Sequence, residues 1–154
     1  AAVFNPSVNE LYTAIRGGGL YLNSESASPS PIHANQEPVV ALSPWEQRRG
    51  RFPLLDEVVI CRPMRSIAWA LALTAGAPIH GLATPHPQTE WDVAPGPLLI
   101  EESGGGVCDG SGRALAFNQP KPRYQGTIAI SARCPEPLRL KLTLLTQTGI
   151  DRGK

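Results

Sequence analysis

The sequence predicts a mainly β domain of antiparallel sheets with one short N-terminal helix. Sixteen prolines and fifteen glycines cut the 154 residues into short pieces, as strands joined by turns require. Apolar and polar side chains alternate along residues 127–133 and 138–144, the period of a half-buried strand. One stretch near the start has helical spacing instead.

That stretch comes first. Val8, Leu11, Tyr12 and Ile15 fall at i, i+3, i+4 and i+7, one face of a helix. Ser7 and Glu10 have capping-box spacing, and Pro6 suits a helix entrance. Gly17, Gly18 and Gly19 stop the helix. So short a helix is unstable alone in water, so it must pack on another layer.

Strand signals follow. Residues 23–36 are rich in Ser, Pro and Asn and read as a loop. Residues 38–42 form a short apolar strand, and 57–61 and 66–74 follow on either side of a turn at 62–65. In the last of these, Ile67, Trp69, Leu71 and Leu73 alternate with Ala68, Ala70 and Ala72. A strand that is apolar on both faces is buried on both. Residues 75–97 read as a long Pro/His/Thr loop, 98–101 as a strand, 103–112 as a Gly-rich turn and 113–117 as a strand. The chain closes on a predicted antiparallel hairpin. Its strands are 127–133 and 138–144, and its turn is Cys134-Pro135-Glu136-Pro137. No internal repeat is visible, and residues 1–154 are expected to form a single domain.

Composition limits the function classes. Apolar residues make up 42% of the chain and charged residues 18%, with a formal net charge of +1. That balance supports a packed core and disfavours nucleic acid or an acidic membrane as partner. The longest apolar run, 67–73, is far short of the roughly 20 residues that cross a bilayer, so no membrane segment is expected. The chain opens at Ala1 without a signal-peptide pattern, which fits a processed chain whose targeting or membrane segment has been removed.

The residues that could carry chemistry form no recognisable set. His80 and His86 share one loop with Glu90 and Asp92, but their spacing fits no rigid register for a metal. His33 lies far from them in the chain. Cys61 with His80 would make a nucleophile–base pair, but it lacks a third, orienting group. Glu101 with Glu102, and Asp56 with Glu57, are adjacent and would point to opposite faces of a strand. The Gly-rich run 104–110 lacks the Lys-Ser/Thr of a phosphate-binding loop and the spacing of a dinucleotide turn. The sequence therefore assigns no catalytic, cofactor-binding or metal residue and predicts no cofactor. No Cys-x-x-Cys is present. In an exported domain, Cys108 and Cys134 are the expected disulfide pair, since Cys61 lies within a strand. Trp45 and Trp91, both in Pro-rich loops, are the candidate surface-binding aromatics.

Several short motifs carry a family resemblance. Gly112-Arg113-Ala114-Leu115-Ala116-Phe117, Gly126-Thr127-Ile128-Ala129-Ile130, residues 138–145 and Thr148-Gly149-Ile150-Asp151-Arg152 resemble the closing pattern of minor pilins and pseudopilins. These are subunits of type IV pili and type II secretion. Residues 9–15 resemble the soluble end of their helix. The resemblance implies a pilin-like α+β head and a non-enzymatic subunit of a homo- or hetero-oligomeric assembly. It also implies an extracellular or periplasmic location. The rival readings are a viral coat protein with a jelly-roll fold in a virion, and a carbohydrate-binding β-sandwich using Trp45 and Trp91.

Overall fold

Val40, Ala41 and Leu42 are consecutive apolar residues, and all three are buried. Successive side chains on a strand point to opposite faces, so this strand is covered on both sides. The computed structural model describes residues 1–27, 37–42, 48, 55, 60–76 and 79–148, and the strand β5 (Val39–Leu42) lies inside its larger sheet.

The chain begins with an antiparallel sheet of β1 (Ala2–Asn5), β2 (Glu10–Ile15), β3 (Gly19–Leu22) and β4 (Glu25–Ser26), in that order. The second sheet contains β5 with β6 (Ile60–Pro63), β7 (Gly81–Thr89), β8 (Gly106–Asp109) and β9 (Arg123–Ile130), ordered β6-β5-β7-β9-β8. It is mixed: β5 runs parallel to β6 and β7, whereas β9 is antiparallel to β7 and β8. Helix α1 (Ile67–Gly76), the short α2 (Glu90–Val93), α3 (Pro95–Glu102) and α4 (Glu136–Thr148) complete the described elements.

Strand alternation divides the interior in two. Ala41, Leu82 and Ala129 face one core, shared with α1, α3 and the inner side chains Tyr12, Ala14 and Leu20 of the first sheet. Val40, Leu42, Ala83 and Ile128 face the other, closed by Leu138, Leu142 and Leu145 of α4. The layers are therefore sheet, helices, sheet and helix. Gly96 sets the spacing of the helical layer, because a Cβ there would lie 2.4 Å from Leu71 Cδ1. The first sheet is tied to α3 by Glu102, which accepts hydrogen bonds from Gly17 N and Gly19 N at 2.8 Å each. Both glycines have positive φ, at 73° and 81°, which lets the turn aim two amides at one carboxylate. Those two hydrogen bonds hold the Glu102 carboxyl below its usual range. Among the described residues, no helix is long and apolar enough to cross a membrane.

Several sequence expectations are corrected here. Residues 8–15 are not helical: Asn9 takes a left-handed φ of 54° in the turn between β1 and β2. Tyr12 and Ala14 then bury alternately beside Leu20. The same four apolar residues satisfied a helical template because short runs fit both periods. Residues 67–73 form a helix, not a strand. Ser66 caps it by accepting from Trp69 N at 3.2 Å, and α1 buries residues all round between two sheets, so no polar face marks its period.

Residues 98–101 fall in α3, and 138–144 fall in α4. The expected closing hairpin is absent, and β9 pairs with β7 and β8 instead. The Pro-rich stretch read as a loop contains β7. Its prolines are tolerated because β5 pairs only with Gly81 and Leu82, and the ladder with β9 shifts register between Thr84 and Pro87. The Gly-rich turn contains β8, and residues 113–117 form no strand. Residues 28–36, and 43–59 apart from 48 and 55, lie outside the described residues, and the expected strand 57–61 falls partly among them.

The helical assignment of 136–148 has a direct consequence. Leu138 and Leu142 are fully buried, whereas Leu140 is 56% exposed. Leu142→Ala is expected to cost about 2–5 kcal/mol and Leu140→Ala less than about 1 kcal/mol. Denaturant unfolding of the two variants measures this, and equal costs would contradict the helix.

Candidate functional site

Strands β5 and β6 end together, and the chain leaves β6 directly into α1. Beyond these carboxyl ends, β7 continues toward α2 without β5 beside it, paired with β9 alone. Open sheets with parallel strands place their ligand crevice at such a position. Here the crevice is a cleft of about 650 Å³. Ala41 and Leu42 line it from β5, Met64 to Ala68 from the link after β6 and the start of α1, Thr84, His86 and Gln88 from β7, and Asp92 from α2.

Each polar group has a structural reason for its place. Ser66 is the N-cap of α1, so Arg65 and the first amides of the helix sit at the rim, where the helix dipole favours an anion. Thr84, His86 and Gln88 recur every second residue on the part of β7 that β5 does not cover. Thr89 is the N-cap of α2, and its hydroxyl donates a hydrogen bond to Asp92 Oδ2. That bond orients the Asp92 carboxylate. Trp91, 68% exposed, precedes it.

The structure separates residues that the sequence placed together. His80 is buried at 3% exposure and belongs to the sheet, not to the cleft. Its Nδ1 accepts from Val39 N at 2.9 Å, and its backbone bonds Val39 O and Ser131 N. Burial, reinforced by the charge of Arg133, holds the His80 imidazole below its ordinary pKa. His86, by contrast, lines the cleft with Asp92. Among the described residues no three His, Cys, Asp or Glu side chains gather into a metal-holding group. The described residues alone therefore offer a cation Asp92 and His86 but no complete donor set.

Cys108 and Cys134 are both free thiols. Cys108 lies on β8 with Sγ 3.8 Å from Ile128 O, and Cys134 packs beside α4. Burial pushes each thiol up to about 11, with Asp109 adding to the effect at Cys108. Cys61 lies on β6. Trp45 and His33 fall outside the described residues.

Comparison with known proteins places the chain in a family. The model of the inositol monophosphatase family matches residues 1–142. The chain belongs to that family. An inositol-1-monophosphatase of Rhizobium meliloti is 34% identical over 120 residues, which cover 73% of this chain and 45% of that protein. A Nus factor SuhB of Xylella fastidiosa is 32% identical over 123 residues, covering 73% of this chain and 43% of that protein. A solved structure from Pyrococcus horikoshii, described as a hypothetical protein with similarities for inositol-1 monophosphatase, superposes with a TM-score of 0.74. It is 23% identical and covers 92% of this chain and 55% of that one. This chain spans about half the length of the curated relatives it matches.

The family match overturns the pilin and pseudopilin resemblance, and the superposition overturns the pilin-head and jelly-roll folds. The expected non-enzymatic assembly subunit, its pilus-type partners and its extracellular, periplasmic or virion location fall with them. The pilin motifs misled because glycine followed by alternating apolar residues describes almost any strand leaving a turn. The informative stretch was Glu90-Trp91-Asp92, followed by Gly96 and by the glycines 104–106. An acid at a strand-to-helix junction is the sequence signal of a site at a sheet's carboxyl edge.

Buried His80 makes stability depend on pH. The folded state binds its proton less readily than the unfolded chain, so the contribution of His80 is fully present above the unfolded pKa of about 6.5 and falls away below it. Urea midpoints should drop between about pH 7 and pH 5, and the drop should shrink in His80→Asn. A wild-type midpoint that rises across this window would contradict the buried neutral imidazole.

Proposed function

We propose that the chain supplies one wall of the active site of a phosphate-monoester hydrolase. The observation that carries this reading is the shared cleft. Asp92, His86, Arg65 and the first turn of α1 face one space, in a chain of the inositol monophosphatase family. Arg65 and the helix amides suit the non-bridging oxygens of a phosphoryl group. Gln88, Thr84 and His86 offer donors and acceptors for the hydroxyls of the alcohol that leaves.

Hydrolysis moves few atoms. A water oxygen bonds to phosphorus, the bond from phosphorus to the alcohol oxygen breaks, and that oxygen takes up a proton. The products are inorganic phosphate and the free alcohol. A carboxylate facing a phosphate repels it unless positive charge lies between them. Asp92 is therefore the residue that would hold a cation, whose chemistry would be to offset phosphate charge. The described residues supply only part of such a donor set. Thr89 holds the Asp92 carboxylate in position, and Arg65 and α1 orient the phosphoryl group.

A second reading comes from the relative named Nus factor SuhB. In that reading the chain contacts the transcription machinery through its surface, and the cleft is incidental.

Release of inorganic phosphate from inositol 1-phosphate tests the first reading. Asp92→Asn is expected to lower kcat by about 100-fold or more, the usual scale for losing one charged group at such a site. The reading is overturned if the protein releases phosphate from none of a panel of inositol, sugar and nucleoside monophosphates. It is equally overturned if Asp92→Asn keeps the wild-type rate.

A further inference from the structure

Helix α2 has four residues, too few to hold its own orientation. Its position is set from outside: Val93 is buried in the core, and Glu90 makes the polar connections. Glu90 N donates to Pro122 O at 3.1 Å, one step beyond the Thr89↔Arg123 pair that ends the β7–β9 ladder. The Glu90 carboxylate then accepts two backbone donors, Asn118 N at 2.8 Å on Oε2 and Gln119 N at 2.9 Å on Oε1. Asn118 takes a φ of 61°, a conformation Asn adopts more readily than most residues. That turn aims both amides at one carboxylate.

The loop that provides these amides is itself braced. Tyr124 donates its hydroxyl hydrogen to Ala116 O, and its ring meets Phe117 edge-on with centroids 6.0 Å apart. Glu90 thus bolts the first residue of α2 to a fixed surface. Asp92 follows two residues later and reaches the cleft, whereas Glu90 does not line it. Thr89, on the other side of Glu90, grips Asp92 Oδ2. Any rotation of α2 that the Glu90 anchor prevents would swing the Asp92 carboxylate out of place and break the Thr89 contact.

We infer that Glu90 is a positioning residue for Asp92, acting through the backbone of α2 without touching substrate. The inference rests on the phosphate-monoesterase reading and adds a residue to it. A misplacement of this kind slows the chemical step more than it weakens substrate binding.

Steady-state hydrolysis of inositol 1-phosphate by wild type, Glu90→Ala, Glu90→Gln, Asp92→Asn and the double variant Glu90→Ala/Asp92→Asn provides the test. Glu90→Ala should lower kcat by about 10–100-fold while KM moves by less than about threefold. Glu90→Gln keeps one carbonyl acceptor and should fall between Glu90→Ala and wild type. The double variant should be no slower than Asp92→Asn, because Glu90 has nothing left to position. Wild-type kcat in Glu90→Ala, a loss confined to KM, or an additive loss in the double variant would each overturn the inference while leaving the role of Asp92 intact. An Asp92→Asn variant that keeps the wild-type rate, or an inactive wild type, would overturn the underlying reading and this inference with it. If Glu90→Ala does not fold, Glu90→Gln decides by the same kcat criterion.

Discussion

The pairing of β7 with β9 is the constraint on which the described structure depends. From Gly81 to Thr84 these strands carry small and aliphatic residues on both faces. They therefore bury one face against α1 and α3 and the other against α4. Both cores close only if this ladder is in register. Past Thr84 the same ladder shifts register, loses β5 as a neighbour and opens toward the cleft. A single strand thus serves as core at its start and as site wall at its end. It hands over directly to the helix that carries Asp92.

Carboxylates do much of the remaining assembly, and they do it by accepting backbone amides. Glu102 takes Gly17 N and Gly19 N, Glu90 takes Asn118 N and Gln119 N, and Asp109 takes Ser111 N and Arg113 N. An ionised acceptor makes a stronger hydrogen bond than a neutral one, and each turn that points two amides at one group needs such an acceptor. The exposed ion pairs nearby, such as Arg16 with Glu101 at 3.5 Å, add little, because water screens them. Two of the three clamps secure pieces of chain that frame the cleft or its supporting helices. The site owes its shape to loops as much as to the sheets.

The candidate site was partly legible. His86, Glu90, Trp91 and Asp92 could be named from the sequence as neighbours in one polar stretch, but their roles could not. His80 shares that stretch and is nevertheless a buried acceptor for Val39 N, because it sits just before β7 beside β5, whereas His86 lies past Thr84, where the ladder shifts register. Glu90 and Asp92 look equivalent in the chain, yet one faces a loop and the other the cleft. Ser66 and Arg65 carried no signal at all while 66–74 read as a strand. Only as the N-cap of α1 and the residue before it do they present an anion-favouring end to the cleft. Glu101 and Glu102 were set aside as a split pair on a strand. They are also split on α3, with Glu101 to Arg16 and Glu102 to two amides.

By itself the sequence determined that the chain buries a substantial apolar core, that prolines and glycines interrupt it often, and that the stretches 38–42 and 127–133 contain strand, observed as Val39–Leu42 and the end of Arg123–Ile130. Those facts follow from composition and from local alternation, which act over a few residues. It could not determine which apolar runs become helices. Ile67–Gly76 is apolar on every side, and residues 138–145 alternate in a way that a strand and a helix can both exploit. The choice belongs to the layers around them. Helix α1 is wanted between two sheets, Tyr12 meets the edge of Trp69 at 5.6 Å, and Gly96 lets α3 come close enough to cover it. Residues 138–145 become a helix because Leu138, Leu142 and Leu145 can then reach Val40, Ala83 and Ile128 together. Tertiary burial outweighs local preference wherever a short apolar run satisfies two periods equally, and here it decided both the fold and the side chains that meet in the cleft.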